Sequence, residues 1–293
     1  MTQWTIQKLL TWITEYLTKN GVDAPRLSAE LLLSHVLGLT RIELYTQFNK
    51  LVDKADLDVL HGLVKRASQH EPVAYLVGRT EFYSTELEVD AHCLIPRPET
   101  ELLVQNAIEF LRTREGTQHV CDLCTGSGCI AVAIARNFSE AQVTATDISD
   151  AALAVAARNV EKHGLGDRVQ LLCGDLFEPL VPGLDVTQWD LIVCNPPYVS
   201  AAEYEALGKN VKDYEPEMAL RAGDDGLDIY RRIADQIDQY LKPDGTLLLE
   251  IGYAQGPAVR ELLEATEQFA ALVVEKDANN NDRIVTAKRS AEA

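Results

Sequence analysis

Between Thr5 and Gly78 apolar residues return at three- and four-residue spacing, in Ile6, Leu9, Leu10, Ile13 and Leu17 and again in Leu27, Leu31, Leu32 and Val36. That is the period of helices that bury one face. Asn20-Gly21 closes the first helix, Pro25 suits the opening turn of the second, and Gly38 follows its end, each where backbone chemistry favours it. Residues 53–69 and 71–77 continue the pattern, so the amino-terminal part is predicted to be a small all-α bundle. From Phe82 to Val89 the period drops to about two and aromatic and β-branched residues appear, the signature of a strand or hairpin.

A helix over 101–112 follows, and strands and helices then alternate. Strands are predicted at 119–124, 142–147, 169–174, 190–194, 246–251, 272–276 and 283–288, with helices at 129–137, 151–163 and 228–241. Such alternation builds an α/β fold, a mostly parallel sheet covered on both faces whose ligand site lies beyond the carboxyl ends of the strands. The expected domains are a helical one over 1–80, a β-hairpin linker over 81–95 and the α/β domain over 96–293.

Composition narrows the class. The chain has 293 residues, 46% hydrophobic and 25% charged, within the range of ordinary globular protein. Its longest apolar runs, such as 130–135 and 151–157, fall far short of the ~18 residues that suggest a membrane span. Met1-Thr2-Gln3-Trp4 leads into an amphipathic stretch, not a basic head with an apolar core, so no secretory signal is read and a cytoplasmic location is expected. The six cysteines sit mostly in apolar segments and are expected to be reduced. Cys121-x-x-Cys124 has no second pair to complete a ligand set, so no metal is expected.

The net charge of -18 is unevenly spread: residues 1–80 hold 9 Lys/Arg against 8 Asp/Glu, and residues 81–293 hold 18 against 37. An acidic surface repels a phosphate backbone at long range, which argues against a stable nucleic-acid partner.

The unusual residues stand at the carboxyl ends of the predicted strands. The first strand ends in Asp122-Leu123-Cys124-Thr125-Gly126-Ser127-Gly128, where glycines let the backbone turn and approach a ligand. Gly126-Ser127-Gly128 with Ala131 also fits a dinucleotide fingerprint, and Asp147 follows Gly128 at about the 20-residue spacing of an acid on a ribose diol. On this loop alone an NAD enzyme competes. Asp175 is placed to accept from an adenine amino group with Leu176 against the ring, while a helix cap for Asp147 and a turn for Asp175 are the plainer readings. His163 reads as a helix end, and the alanines at 151, 152, 154, 156 and 157 read as close helix packing.

The fourth strand runs into Asn195-Pro196-Pro197-Tyr198. Two prolines in succession hold the backbone extended and remove two donors, leaving a ledge of acceptors. The Asn195 side-chain oxygen and the Pro196 carbonyl can each take one hydrogen of an NH2 group, with Tyr198 packed on the flat π-system. An amide nitrogen is a poor nucleophile, and two acceptors favour the transition state in which it gains positive charge. Its partner must be strongly electrophilic, as a sulfonium methyl is, and positioning then does most of the catalysis. Asn195, Pro196 and Tyr198 are therefore the expected catalytic residues of an S-adenosylmethionine-dependent methyltransferase acting on a planar nitrogen.

At this point the sequence resembles the release factor glutamine methyltransferases, also called PrmC or HemK, over nearly its whole length. The resemblance rests on Glu71-Pro72-Val73-Ala74-Tyr75-Leu76-x-Gly78, Glu81-Phe82-Tyr83, Ile95-Pro96-Arg97-Pro98-Glu99-Thr100-Glu101, the glycine loop, Asn195-Pro196-Pro197-Tyr198, Tyr214-Glu215-Pro216, Gly226-Leu227-Asp228 and Leu249-Glu250-Ile251-Gly252. It implies a helical domain, a hairpin linker and a seven-stranded Rossmann-like class I methyltransferase domain. It also implies N5-methylation of the glutamine in the Gly-Gly-Gln motif of class I peptide chain release factors, by a chain taken as a monomer. By that reading residues 124–128, Asp147, Leu176 and Asn195 contact S-adenosylmethionine, and Asn195 to Tyr198 hold the glutamine amide. Cys124 departs from the glycine usual in the family. Residues 122–130 also resemble the sister family that methylates a glutamine of a large-subunit ribosomal protein, and adenine-N6 methyltransferases share the Asn-Pro-Pro-Tyr chemistry. The 95–101 motif and the amino-terminal helices fit the release factor family better, and the acidic charge counts against nucleic acid.

Overall fold

In the first part of the chain the predicted stripe of the first helix is buried, whereas that of the second is displaced: Leu27 is exposed and Leu31 and Val36 are half-buried, while Ala29, Leu32 and Leu33 fill the core. In the computed structural model, which describes residues 3–181 and 186–291, helices α1 Ile6–Lys19, α2 Pro25–Leu37, α3 Arg41–Thr46, α4 Lys54–Ala67 and α5 Val73–Val77 form the helical unit. Ile6, Leu9, Leu10, Ile13 and Leu17 of α1 are buried against Leu32, Leu33, Leu44, Leu60 and Val64. Each such side chain withdraws enough apolar surface to contribute about 2 kcal/mol before the entropy of ordering is set against it. Thr5 caps α1 by accepting from the Lys8 N–H, Pro25 opens α2, and Gly38 ends it at φ 63°. The chain returns to this unit at Gly208–Tyr214.

The second unit carries the hairpin β1 Arg79–Phe82 and β2 Thr85–Glu88, then α6 Thr100–Leu111, β3 Gln118–Leu123, α7 Cys129–Asn137, β4 Ala141–Asp147, α8 Asp150–Lys162, β5 Val169–Cys173, β6 Trp189–Cys194 and α9 Ala201–Ala206. After the short α10 Lys209–Lys212 of the returning segment come α11 Asp228–Ala234, α12 Ile237–Tyr240, β7 Leu241–Glu250, α13 Gly256–Glu264, β8 Phe269–Lys276 and β9 Asp282–Arg289. The seven-stranded sheet has the order β5-β4-β3-β6-β7-β9-β8, with β9 antiparallel to both of its neighbours and the rest parallel. Alternate residues of the strands feed two cores. Val120, Leu191 and Val193 pack with α6 and α7, while Cys121, Ile192 and Cys194 pack with α11 and α13.

The hairpin packs Phe82 and Leu87 into the core beneath α6 and α7. Two further expectations need correction. Strand β7 starts at Leu241, not near 246, because pairing with Trp189 carries the strand through Pro243-Asp244-Gly245 across a bulge. Of the five alanines of α8, only Ala152 and Ala156 are buried; Ala151, Ala154 and Ala157 face solvent.

The chain goes from β3 outward to β4 and β5, then crosses back to place β6 on the other side of β3. That reversal opens a crevice at the carboxyl ends of β3 and β6, the usual ligand position in such sheets.

Candidate active site

Leu123 and Cys194 end their strands as register partners across the reversal, so the loop 124–128 and the segment 195–198 leave the sheet at the same crevice. A cavity of about 340 Å³ lies there, and Cys124, Thr125, Gly126, Ser127, Asp147, Asp175, Leu176, Asn195 and Pro197 are on its wall. Gly128, Pro196 and Tyr198 are not. Gly128 has φ 78° and packs so closely on α8 that an added Cβ would stand 3.1 Å from the Ala156 Cβ. Pro196 is buried, and the Tyr198 hydroxyl turns to Glu250 Oε1 at 3.5 Å.

The loop is held by its own acids. The Thr125 hydroxyl donates to Asp122 Oδ2 at 2.6 Å, and the Ala131 N–H donates to the same oxygen at 3.2 Å. Burial pushes the Asp122 carboxyl up to about 7, against the pull of these two donors. The Gly126 N–H donates to Asp147 Oδ2 at 2.8 Å, and the Ser149 N–H to Oδ1 at 2.9 Å. Burial raises the Asp147 carboxyl too, with the N–H donors opposing it. The cap of α8 is Ser149, not Asp147, so the acid is left to the cavity. His163 is the helix end read from the sequence, its Nε2 lying 2.9 Å from the Glu86 carbonyl. Asp175 is ion-paired with Arg232 at 2.8 Å.

The ledge is pinned from several sides. Asn195 Nδ2 donates to Thr100 Oγ1 at 3.1 Å, which turns the amide oxygen away from that hydroxyl. The Tyr198 and Val199 N–H groups donate to the Leu220 carbonyl at 3.1 and 2.8 Å, and Gln255 Nε2 donates to the Tyr198 carbonyl at 2.9 Å. Gly226 admits no side chain there, since a Cβ would stand 2.3 Å from the Tyr198 carbonyl oxygen. Burial pushes the Tyr198 hydroxyl up to about 12, with Glu250 adding to the shift.

These residues fit S-adenosylmethionine. Both Asp147 oxygens keep a lone pair beyond the backbone bonds they accept, as a ribose diol requires. An added Cβ at Gly126 meets nothing within 4 Å, so the loop backbone is open to a close ligand, and Ile148 and Leu176 give the cavity an apolar wall.

The sequence pattern gives no role to Asn159, Thr100 or Glu250. Asn159, fully buried, donates from Nδ2 to the Ser127 and Glu88 carbonyls, both at 2.9 Å, and accepts from the Glu88 N–H at 2.7 Å. It ties the glycine loop to the hairpin. The signal for Glu250 is an acid inside an otherwise apolar strand, Leu247-Leu248-Leu249-Glu250-Ile251; for Asn159 it is an amide on the buried face of an alanine-rich helix.

Comparison with known proteins adds a family. The model of the PrmC N-terminal domain matches residues 8–78, and that of the methyltransferase small domain matches residues 98–212. The chain is 42% identical over 292 residues to a release factor glutamine methyltransferase of Rhodopirellula baltica, covering 99% of this chain and 98% of that one. It is 43% identical over 282 residues to one of Geobacter sulfurreducens, covering 96% of each. Among solved structures, a SAM-dependent methyltransferase of Agrobacterium tumefaciens matches with a TM-score of 0.50 at 16% identity, over 73% of this chain and 69% of that one, a likeness of fold. Among the described residues no helix is long and apolar enough to cross a membrane.

Proposed function

Since this chain belongs to the release factor glutamine methyltransferases, we propose that it methylates N5 of the glutamine in the Gly-Gly-Gln motif of class I release factors. The observation that carries the reading is the Asn195 amide beside the cavity, its nitrogen engaged by Thr100 and its oxygen left without a hydrogen-bond partner among the described residues. The loop 124–128 would hold the methionine part of the cofactor, Asp147 the ribose, and Asp175 with Leu176 the adenine. S-adenosylmethionine supplies an electrophilic sulfonium methyl. Asn195 Oδ1 and the Pro196 carbonyl accept the two N–H groups of the glutamine amide and hold its nitrogen in line. As the nitrogen gains positive charge these acceptors bind it more strongly, which lowers the barrier rather than KM. Tyr198 stiffens the ledge through its backbone bonds and its hydroxyl.

The helical unit, near neutral where the rest is acidic, is taken to dock the release factor. The protein is taken to act as a monomer in the cytoplasm, where its substrate is found. Asn195→Ala is expected to cut turnover by about 100-fold or more while S-adenosylhomocysteine still binds. Methyl transfer from labelled cofactor to purified release factors and ribosomal protein, with mass spectrometry to find the methylated residue, tests the substrate. Methylation of the ribosomal protein alone would refute it.

A further inference from the structure

An asparagine carboxamide has an accepting end and a donating end of nearly the same shape, so half a turn exchanges them at small steric cost. Turned the wrong way, Asn195 would present an N–H to the N–H of the incoming amide, and the ledge would repel what it should hold. Something must choose the orientation. In the structure the chooser is Thr100, the first residue of α6, 1% exposed, whose Oγ1 accepts from Asn195 Nδ2 at 3.1 Å.

A threonine hydroxyl that accepts still has one proton to give. Glu250, at the end of β7 and 1% exposed, is a buried carboxylate whose charge the Thr100 hydroxyl favours. Its Oε1 faces the Tyr198 hydroxyl at 3.5 Å, while its Oε2 takes no hydrogen bond among the described residues, so the carboxylate has an acceptor to spare. Burial pushes the carboxyl up to about 7, and the Thr100 hydroxyl acts against this by favouring the ionised form. The turn into α6 is fixed in its own right. Arg97 pairs with the buried Glu215 at 2.6 Å, the Ile95 N–H donates to Glu215 at 3.2 Å, and the Thr100 N–H donates to the Arg97 carbonyl at 3.1 Å. The 95–101 and 214–216 motifs thus fix together the turn that carries the Thr100 hydroxyl.

We propose that Thr100, backed by Glu250, is a positioning residue that fixes the Asn195 carboxamide with its oxygen toward the substrate. The inference rests on the reading of Asn195 as the amide acceptor. Thr100 acts through Asn195, so its loss shows in kcat and not in binding.

The test compares full-length Thr100→Val, Thr100→Ser, Glu250→Gln and Asn195→Ala on a purified class I release factor, with S-adenosylhomocysteine titrated by calorimetry and melting followed in parallel. Thr100→Val keeps the side-chain shape without the hydroxyl. It should lower kcat by about 10- to 100-fold, the scale of a misplaced reacting group. KM for the release factor and the affinity for S-adenosylhomocysteine should stay within about threefold of the parent. Thr100→Ser should restore kcat, and Glu250→Gln should lower it with the same indifference of KM. If valine is not accommodated and the melt is lost, Thr100→Ala serves for the same comparison. Full kcat in the valine or alanine variant overturns the proposal, as does a serine variant that fails to recover. Full kcat in Glu250→Gln overturns the part given to Glu250. Loss of turnover in Asn195→Ala with full kcat in Thr100→Val would reject the positioning role of Thr100 alone. Normal turnover in Asn195→Ala would reject both the positioning role of Thr100 and the acceptor reading.

Discussion

Cys124 sits at φ 58° on the wall of the cavity, a left-handed conformation that costs a side chain about 1–2 kcal/mol. Family resemblance leads one to expect glycine at this place, and the backbone angle gives the reason. Cys124→Gly should therefore be as stable as the parent or slightly more so, its relief of strain offset by the entropy of a freer unfolded chain. Cys124→Val, branched at Cβ, should lose about 1–2 kcal/mol in chemical denaturation; equal stability of the two variants would show that the turn is not strained. Asp122 makes a second case. Burial raises its carboxyl to about 7 from an ordinary value of 3.8, so the folded state binds its proton more tightly than the unfolded one. The stability this gives is fully present below about pH 4 and is lost as pH rises through about 7. Asp122→Asn cannot titrate. Between pH 4 and pH 8 the parent should lose about 2–4 kcal/mol relative to that variant, read from denaturation midpoints at each pH. Parallel pH profiles would remove burial as the controlling effect.

Among the elements, α8 has a role that its alanines conceal. Asn159 is fully buried on that helix and satisfies the Ser127 carbonyl together with both backbone groups of Glu88. Asn159→Ala strands the buried Ser127 carbonyl, worth about 1–3 kcal/mol when left without a partner, and two part-buried backbone groups of Glu88 worth less. A loss of about 2–3 kcal/mol is expected, with weaker S-adenosylhomocysteine binding because Ser127 belongs to the loop proposed to hold the cofactor; calorimetry and urea unfolding would read both. The strands themselves were legible. β6 is buried on both sides and holds the apolar run Leu191-Ile192-Val193-Cys194, while β3 and β4 are marked by β-branched and small residues between helical segments, and chain alternation then points to a parallel sheet. The loop 124–128, Asp147 and Asn195 were legible for the same reason, since each ends one of these strands. What pattern could not supply were partners distant in sequence: Thr100 meets Asn195 95 positions on, and Arg97 meets Glu215 118 positions on. The first half of β7 is hidden because Pro243-Asp244-Gly245 has the composition of a turn, and only pairing with β6 overrides it. α13 is masked in the sequence because it opens on Gly256-Pro257, which looks like a break although proline suits a first helical turn.

For the whole molecule the open issue is what the helical unit adds to a catalytic unit that already holds the cavity. The charge supplies an argument: residues 81–293 hold 18 basic against 37 acidic side chains, and residues 1–80 are near neutral. A highly acidic surface alone offers diffuse attraction and little register, whereas a docking surface fixes orientation and raises the local concentration of the glutamine at the ledge. Docking should then matter for an intact release factor and not for a short peptide carrying Gly-Gly-Gln. Removal of residues 1–79 should lower kcat/KM on the intact factor by about 10-fold or more, leaving the peptide rate nearly unchanged. The control is S-adenosylhomocysteine binding, because Tyr214 loses its hydrogen bond to the Gln69 carbonyl in the truncated chain and folding must be verified apart from docking. With binding retained, an equal fall on both substrates would assign the helical unit to stability. A fall confined to the intact factor would assign it to recognition.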